Sequence, residues 1–164
     1  MKKKLTQNLS LFYTSNYPRA LRNKSKKKYK VTLGIGGNVG DVKQTFNKLF
    51  LCLNADARFD VLRTSPLLKN PAFGFLDQKD FLNGIITLKT NLGLNDFFKS
   101  MQRLEIRYGR KRSFKDAPRT LDIDIIFFAN KKVNTKKLII PHKSWHNRES
   151  VTIPLKHIQN NKLL

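Results

Sequence analysis

Val31-Thr32-Leu33-Gly34-Ile35-Gly36-Gly37-Asn38-Val39-Gly40-Asp41 decides how the chain folds. Val31, Leu33 and Ile35 alternate, which is the period of a half-buried strand. Four glycines punctuate the end of that strand, and Asp41 can cap a helix by accepting from its free N–H groups. Val42, Phe46, Leu49, Phe50 and Leu53 then recur at helical spacing, so an amphipathic helix is predicted over about 41–54. Working outward, a second strand is predicted over about 59–65, a loop over 66–80 with Pro66, Pro71 and Gly74, and a third strand over about 82–90. A second helix starts between Gly93 and Asn95 and buries Phe97, Met101, Leu104 and Tyr108, with Gly109 as its stop. The basic loop Arg110–Arg119 leads to the strand Leu121–Phe128, and the tail 138–164 supplies one more short strand or edge. The order strand, helix, strand, strand, helix, strand is the ferredoxin-like α+β pattern. It implies a single domain with a mostly antiparallel sheet and helices packed on one face.

Composition sets the limits. The 164 residues include 33 Lys and Arg against 11 Asp and Glu, a net +22. Partners should therefore carry negative charge. Residues 1–30 hold ten of the basic residues and no acidic one, so 1–29 is expected to be a basic, partly disordered leader before a domain spanning 30–164. The apolar stretch there is short and no small-residue cleavage site follows it, so a signal peptide is not expected. The longest apolar run, Ile125–Ala129, is five residues, far short of a membrane helix, and the single Cys52 cannot form an intrachain disulfide. A cytoplasmic, monomeric protein is expected.

Two stretches carry the strongest chemical signal. In Leu121-Asp122-Ile123-Asp124-Ile125 the two carboxylates share one strand face, about 6.5–7 Å apart at the backbone. Like charges at that spacing repel. A hard divalent cation such as Mg²⁺ would relieve the repulsion, and so would neighbouring arginines on a solvated face; both readings stay open on the strand alone. Directly before it, Arg110-Lys111-Arg112-Ser113-Phe114-Lys115-Asp116-Ala117-Pro118-Arg119 packs five cations into ten residues, which suits phosphate oxygens. Carboxylates beside such a loop are what phosphoryl transfer needs; a nucleic-acid-binding loop is the other reading. The glycine cluster fits neither the dinucleotide pattern nor the P-loop and reads as a tight structural turn. Asn70-Pro71-Ala72-Phe73 and Phe81-Leu82-Asn83 offer rings and amides to a flat heterocycle, though core packing explains the rings equally well. His142, His146 and His157 show no paired metal spacing. Cys52 reads as packing.

Together these stretches resemble a known family. Residues 31–157 are similar to 6-hydroxymethyl-7,8-dihydropterin pyrophosphokinase, through Gly36-Gly37-Asn38-Val39-Gly40-Asp41, Asp77-Gln78 with Asp80-Phe81-Leu82-Asn83, Gln102-Arg103-Leu104-Glu105, Gly109-Arg110 with Arg112, Pro118-Arg119-Thr120-Leu121-Asp122-Ile123-Asp124-Ile125 and Ile140-Pro141-His142. The resemblance implies transfer of the β,γ-diphosphate of ATP to the pterin hydroxymethyl group, with release of AMP. It implies that Asp122 and Asp124 bind two Mg²⁺ ions and that Arg110 and Arg119 act on the transferring phosphates. It further assigns Gln102, Arg112, Lys115, Ile125, Lys137, His142 and Arg148 to ATP, with Lys115 and Lys137 standing where arginine is usual. Asn70, Pro71, Phe73, Phe81 and Asn83 would hold the pterin. Ser150 occupies the place of a second stacking aromatic, with Trp145 the local substitute. The rival class, a ferredoxin-like nucleic-acid-binding module, has the net charge in its favour. It lacks the aromatic string used by a common RNA-reading version of this fold, and the Asp pair would repel phosphate. Nucleic acid is expected only at the leader.

Overall fold

The computed structural model describes residues 1–21, 24–111 and 113–160. In chain order its elements are β1 (Lys2–Lys4), β2 (Ser10–Phe12), β3 (Arg19–Ala20), β4 (Tyr29–Gly37), α1 (Val42–Ala55), β5 (Phe59–Thr64), β6 (Leu67–Asn70), β7 (Phe81–Thr90), α2 (Leu94–Arg107), β8 (Asp122–Phe128), β9 (Val133–Asn134), β10 (Ile139–Ile140) and α3 (Glu149–Asn160). The centre of the sheet runs β8-β4-β7, with β5 and β6 both pairing with the far edge of β7, and every pairing is antiparallel. This is the ferredoxin-like arrangement expected from the alternation of elements. The Asp41 side chain caps α1 by accepting from the Gln44 N–H at 3.0 Å.

Alternation along the central strands divides their residues between two faces. Leu33 and Ile35 of β4, Ile86 and Leu88 of β7 and Ile123 and Ile125 of β8 enter one core with Phe46, Leu49, Phe50 and Leu53 of α1 and Phe97 and Met101 of α2. Burying a side chain of this size stabilises by about 1.5–3 kcal/mol, which offsets the modest intrinsic stability of two 14-residue helices. The other face carries Gly34, Gly36, Asn83, Ile85, Asp122 and Asp124. A third helix, α3, covers part of it, packing Val151 and Leu155 on Ile85 and Ile126. The tail was expected to give only a short strand. Pro154 obscures the helix, but Val151, Pro154, Leu155 and Ile158 keep the helical period.

Residues 1–20 differ most from expectation. Instead of standing outside the domain, they add three strands to its sheet: β1 pairs with β2, β2 with β6, and β3 with β5. Leu9, Leu11 and Tyr17 are buried, and the Tyr17 hydroxyl donates to the Phe46 carbonyl at 2.9 Å. The alternation Leu9-Ser10-Leu11 had a strand period; the neighbouring lysines hid it. β6 likewise falls inside the stretch expected to be loop.

Candidate active site

The register of the sheet lines up one row on the open face: Leu11 opposite Leu68, Leu68 opposite Asn83, Asn83 opposite Gly36, and Gly36 opposite Asp122. A parallel row places Gly34 between Asp124 and Ile85. Gly36 thus separates Asp122 from Asn83, and Gly34 separates Asp124 from Ile85, which leaves a shallow trough about 10 Å across, two strand spacings, with Ile126 leaning to 3.1 Å from where a methyl at Gly34 would sit. A methyl at Gly36 would sit 2.7 Å from Asn83 Oδ1. The glycine cluster beyond it is structural, as read. A methyl at Gly37 would meet the Thr120 carbonyl at 2.7 Å, so only glycine lets the chain at 119–120 approach. Asn38 then ties three segments together. Its backbone N–H donates to the Arg119 carbonyl, its Oδ1 accepts from the Arg119 N–H, and its Nδ2 donates to Gln78 Oε1 and the Lys79 carbonyl.

On the β8 side, Asp122 accepts from Arg110 Nη1 at 2.7 Å and from Arg119 Nη1 at 3.0 Å. Asp124 Oδ2 stands 3.8 Å from His142 Nε2. Burial, and then the Asp122 charge, push the Asp124 carboxyl well above the usual carboxylate range, while Arg148 and Arg110 act against that rise. The side chain is still 39 % exposed, so its outer edge is open to a ligand. His142 is held below its ordinary value by burial and then by Arg148, which keeps the imidazole neutral near pH 7. Its Nδ1 is buried without a hydrogen-bond partner. Beside the pair, a cleft of about 300 Å³ runs between α2 and β10, lined by Gln102, Glu105, Arg110, Asp122, Asp124, Ile125, Lys137 and His142 among others. Lys115 lines a separate hollow with Arg110 and Arg119. Arg112 lies outside the described residues.

Glu105 stands in one of the matching stretches, but no role follows for it from sequence. It is 5 % exposed and accepts from the Ile123 N–H at 2.7 Å and from Arg110 Nη1 at 2.5 Å. It therefore anchors α2 to the strand between the two aspartates and aims Arg110 at Asp122. Burial works against the Arg110 charge, but Asp122 and Glu105 outweigh it. A lone Glu three residues after Gln102, on the inward face of a predicted helix, was the available signal.

On the β7 side, Asn83 Nδ2 donates to Asn70 Oδ1 at 2.7 Å, and Asn70 pairs in register with Phe81. Asn70 Nδ2 also donates to the Pro71 carbonyl. The Arg119 guanidinium lies 5.5 Å from the Phe81 ring centre, so one cation bridges that ring and Asp122. Phe73 is 81 % exposed and does not join Phe81 and Asn83. The loop after β6 meets the basic loop instead through Phe75 on Phe114, with ring centres 5.3 Å apart, and through Gln78 Nε2 donating to the Asp116 carbonyl. Trp145 packs edge-on against Phe127 at 5.0 Å, in the cluster under α3.

Two carboxylates on a trough, each facing cations, with apolar and amide groups across from them, are suited to a metal–polyphosphate beside a flat polar ring. Comparison with known proteins identifies the family. The chain is 41 % identical over 139 residues to the 2-amino-4-hydroxy-6-hydroxymethyldihydropteridine pyrophosphokinase of Campylobacter jejuni, covering 85 % of this chain and 88 % of that protein. It is 38 % identical over 141 residues to the Helicobacter pylori enzyme of the same name, covering 85 % and 86 %, and 31 % identical over 126 residues to that of Bacillus subtilis, covering 77 % and 75 %. The sequence profile of 7,8-dihydro-6-hydroxymethylpterin-pyrophosphokinase matches residues 32–160. On the trough, the register that builds it and these matches, the chain belongs to the 7,8-dihydro-6-hydroxymethylpterin-pyrophosphokinase family.

Proposed function

We propose that this chain transfers the β,γ-diphosphate of ATP to the hydroxymethyl oxygen of 6-hydroxymethyl-7,8-dihydropterin and releases AMP, as a cytoplasmic monomer serving folate biosynthesis. The observation that carries the reading is the row Asn83-Gly36-Asp122. It sets an amide reader and a carboxylate on one face with nothing but glycine between them, so a heterocycle and a polyphosphate can lie side by side.

The residues present fit divalent cations. No group of three or more metal-binding His, Cys, Asp or Glu side chains exists among the described residues. Asp122 and Asp124 share one strand face and Asp124 is 39 % exposed, a donor set that suits Mg²⁺, which takes one or two carboxylates and fills its remaining positions with substrate phosphates and water. Asp122 and Asp124 would hold two such ions, and these would neutralise charge on the phosphates as it shifts between oxygens. The chain's own groups do the rest. Gln102 and Ile125 bound the cleft for the nucleotide, and Lys137 and neutral His142 face its phosphates. Arg110 and Arg119, with Arg112, Lys115 and Arg148, supply fixed positive charge where the bridging oxygen accumulates charge, which lowers the barrier without covalent chemistry. Phe81 stacks on the pterin. Asn83, oriented by Asn70, bonds its edge, and the segment Asn70-Pro71 with Phe73 closes beside it.

A nucleic-acid-binding module is not favoured, since the family match spans the whole site. Among the described residues no helix is long and apolar enough to cross a membrane. The test is ATP consumption by the purified chain with Mg²⁺, with and without the reduced pterin. Pterin-dependent AMP, abolished by chelation of Mg²⁺, is expected. Consumption indifferent to pterin would refute the proposal.

A further inference from the structure

The N-terminal strands lie outside the residues matched by the family, yet they touch the substrate side of the sheet. β6 is four residues long, lies between Pro66 and Pro71, and carries Asn70 at its end. On its inner side it pairs with β7 through Leu68–Asn83, Lys69–Leu82 and Asn70–Phe81. Without residues 1–20 it would be a short edge strand with one row of unpaired backbone groups, a kind of element that frays. β2 pairs with its outer side at Ser10–Lys69, Leu11–Leu68 and Phe12–Leu67 and makes it an internal strand. Leu9 and Leu11 form a buried cluster with Leu68, joined by Ile153 of α3. β1 then ends the sheet with Lys2, Lys3 and Lys4, all exposed, and three like charges discourage pairing with another chain.

We propose that residues 1–20 are a positioning element for the pterin half of the site. They hold β6 in register, so that Asn70 keeps Asn83 aimed over the trough. The chain of contact is short: Leu11 packs on Leu68, Leu68 is the register partner of Asn83, and Asn83 bonds Asn70 two residues beyond Leu68. Binding energy for the heterocycle depends on that amide being fixed before the ligand arrives. The carboxylates and the cleft beside α2 do not touch residues 1–20, so nucleotide binding is independent of them. The inference rests on the proposed assignment of Asn70, Phe81 and Asn83 to the pterin.

The test uses the full chain with Leu11→Ala, assayed well below its melting temperature. KM for the reduced pterin should rise at least about fivefold, while KM for ATP and kcat stay within twofold. Leu53→Ala, an equally buried truncation in α1, should lower the melting temperature and leave both KM values within twofold. Adding Leu11→Ala to Asn70→Ala should raise pterin KM no further than Asn70→Ala alone. If Leu11→Ala does not fold, Leu9→Ala makes the same test. Pterin KM within twofold of the parent in a folded Leu9 or Leu11 variant overturns the inference. Asn83→Ala separates the two levels. If it raises pterin KM while the leucine variants do not, only the positioning role is lost. If Asn83→Ala leaves pterin KM unchanged, the pterin assignment fails and takes the positioning role with it.

Discussion

Replacing Gly36 with alanine puts a methyl 2.7 Å from Asn83 Oδ1, closer than carbon and oxygen can sit. Among the described residues positive φ is confined, for glycine, to Gly40, Gly74 and Gly109, so alanine suits the Gly36 backbone and only the side-chain contact must yield. The yielding group is the Asn83 amide, which rotates and gives up its 2.7 Å bond to Asn70. That costs about 1 kcal/mol, and the bond it would make to the pterin is worth about 1–3 kcal/mol more. The first cost falls on stability; at 1.36 kcal/mol per tenfold the second should lower kcat/KM for the pterin roughly 5- to 150-fold. Stability should move by less than about 1 kcal/mol, because alanine also narrows the unfolded ensemble by ~0.4–1 kcal/mol. The assay is steady-state turnover at varied pterin and saturating ATP, with ATP affinity measured separately by calorimetry. Unchanged ATP affinity with the predicted loss supports the trough. Pterin kcat/KM within threefold of the parent would refute it, and an equal loss of ATP affinity would mean that Gly36 serves the whole sheet instead.

Asp122→Asn and Asp124→Asn should each lower kcat by at least a thousandfold, about 4 kcal/mol of barrier; the melting temperature should hold or rise for Asp124→Asn, where like-charge repulsion is relieved, and fall for Asp122→Asn, which gives up its charge to Arg110 and Arg119. Asp124 has a raised folded-state pKa, so its proton stabilises the metal-free fold. That contribution is present below the usual carboxylate range, ~pH 4, and is lost as pH rises toward neutrality. The difference in urea stability between the parent and Asp124→Asn should therefore grow with pH over that interval, and Mg²⁺–nucleotide binding should tighten over it; a flat difference would count against the shift. Glu105→Ala unties Ile123 and Arg110 at a site only 5 % exposed, so urea unfolding should show a loss of about 2–3 kcal/mol. A loss under 0.5 kcal/mol would show that α2 does not anchor β8.

Much of this was legible in sequence because the central strands and helices are local patterns. The period-two run Val31-Leu33-Ile35 and the helical run from Val42 to Leu53 needed no partner to be read, and both stand where they were expected. The aspartates share a face for the same reason. What escaped reading depends on pairing at long range. Nothing in Ser10-Leu11-Phe12 names Leu67–Lys69 as its partner, and the surrounding charge argued for solvent. α3 was hidden by a proline inside a regular apolar repeat. Glu105 lay on the inward face of a predicted helix, but its partner was not legible, since only the fold brings the Ile123 N–H to it. Arg119 was read as a phosphate ligand alone, but its position over Phe81 requires the 110–119 loop to return across the sheet.

The central claim is that two phosphoryl groups move together across the trough, from nucleotide to pterin. The direct measurement is phosphorus NMR of a reaction holding the full chain, Mg²⁺, the reduced pterin and ATP labelled with oxygen-18 on its β-phosphoryl. The account predicts AMP in step with a pterin diphosphate that carries the labelled phosphorus next to the hydroxymethyl oxygen. ADP with a pterin monophosphate, or label retained on the nucleotide, would contradict it.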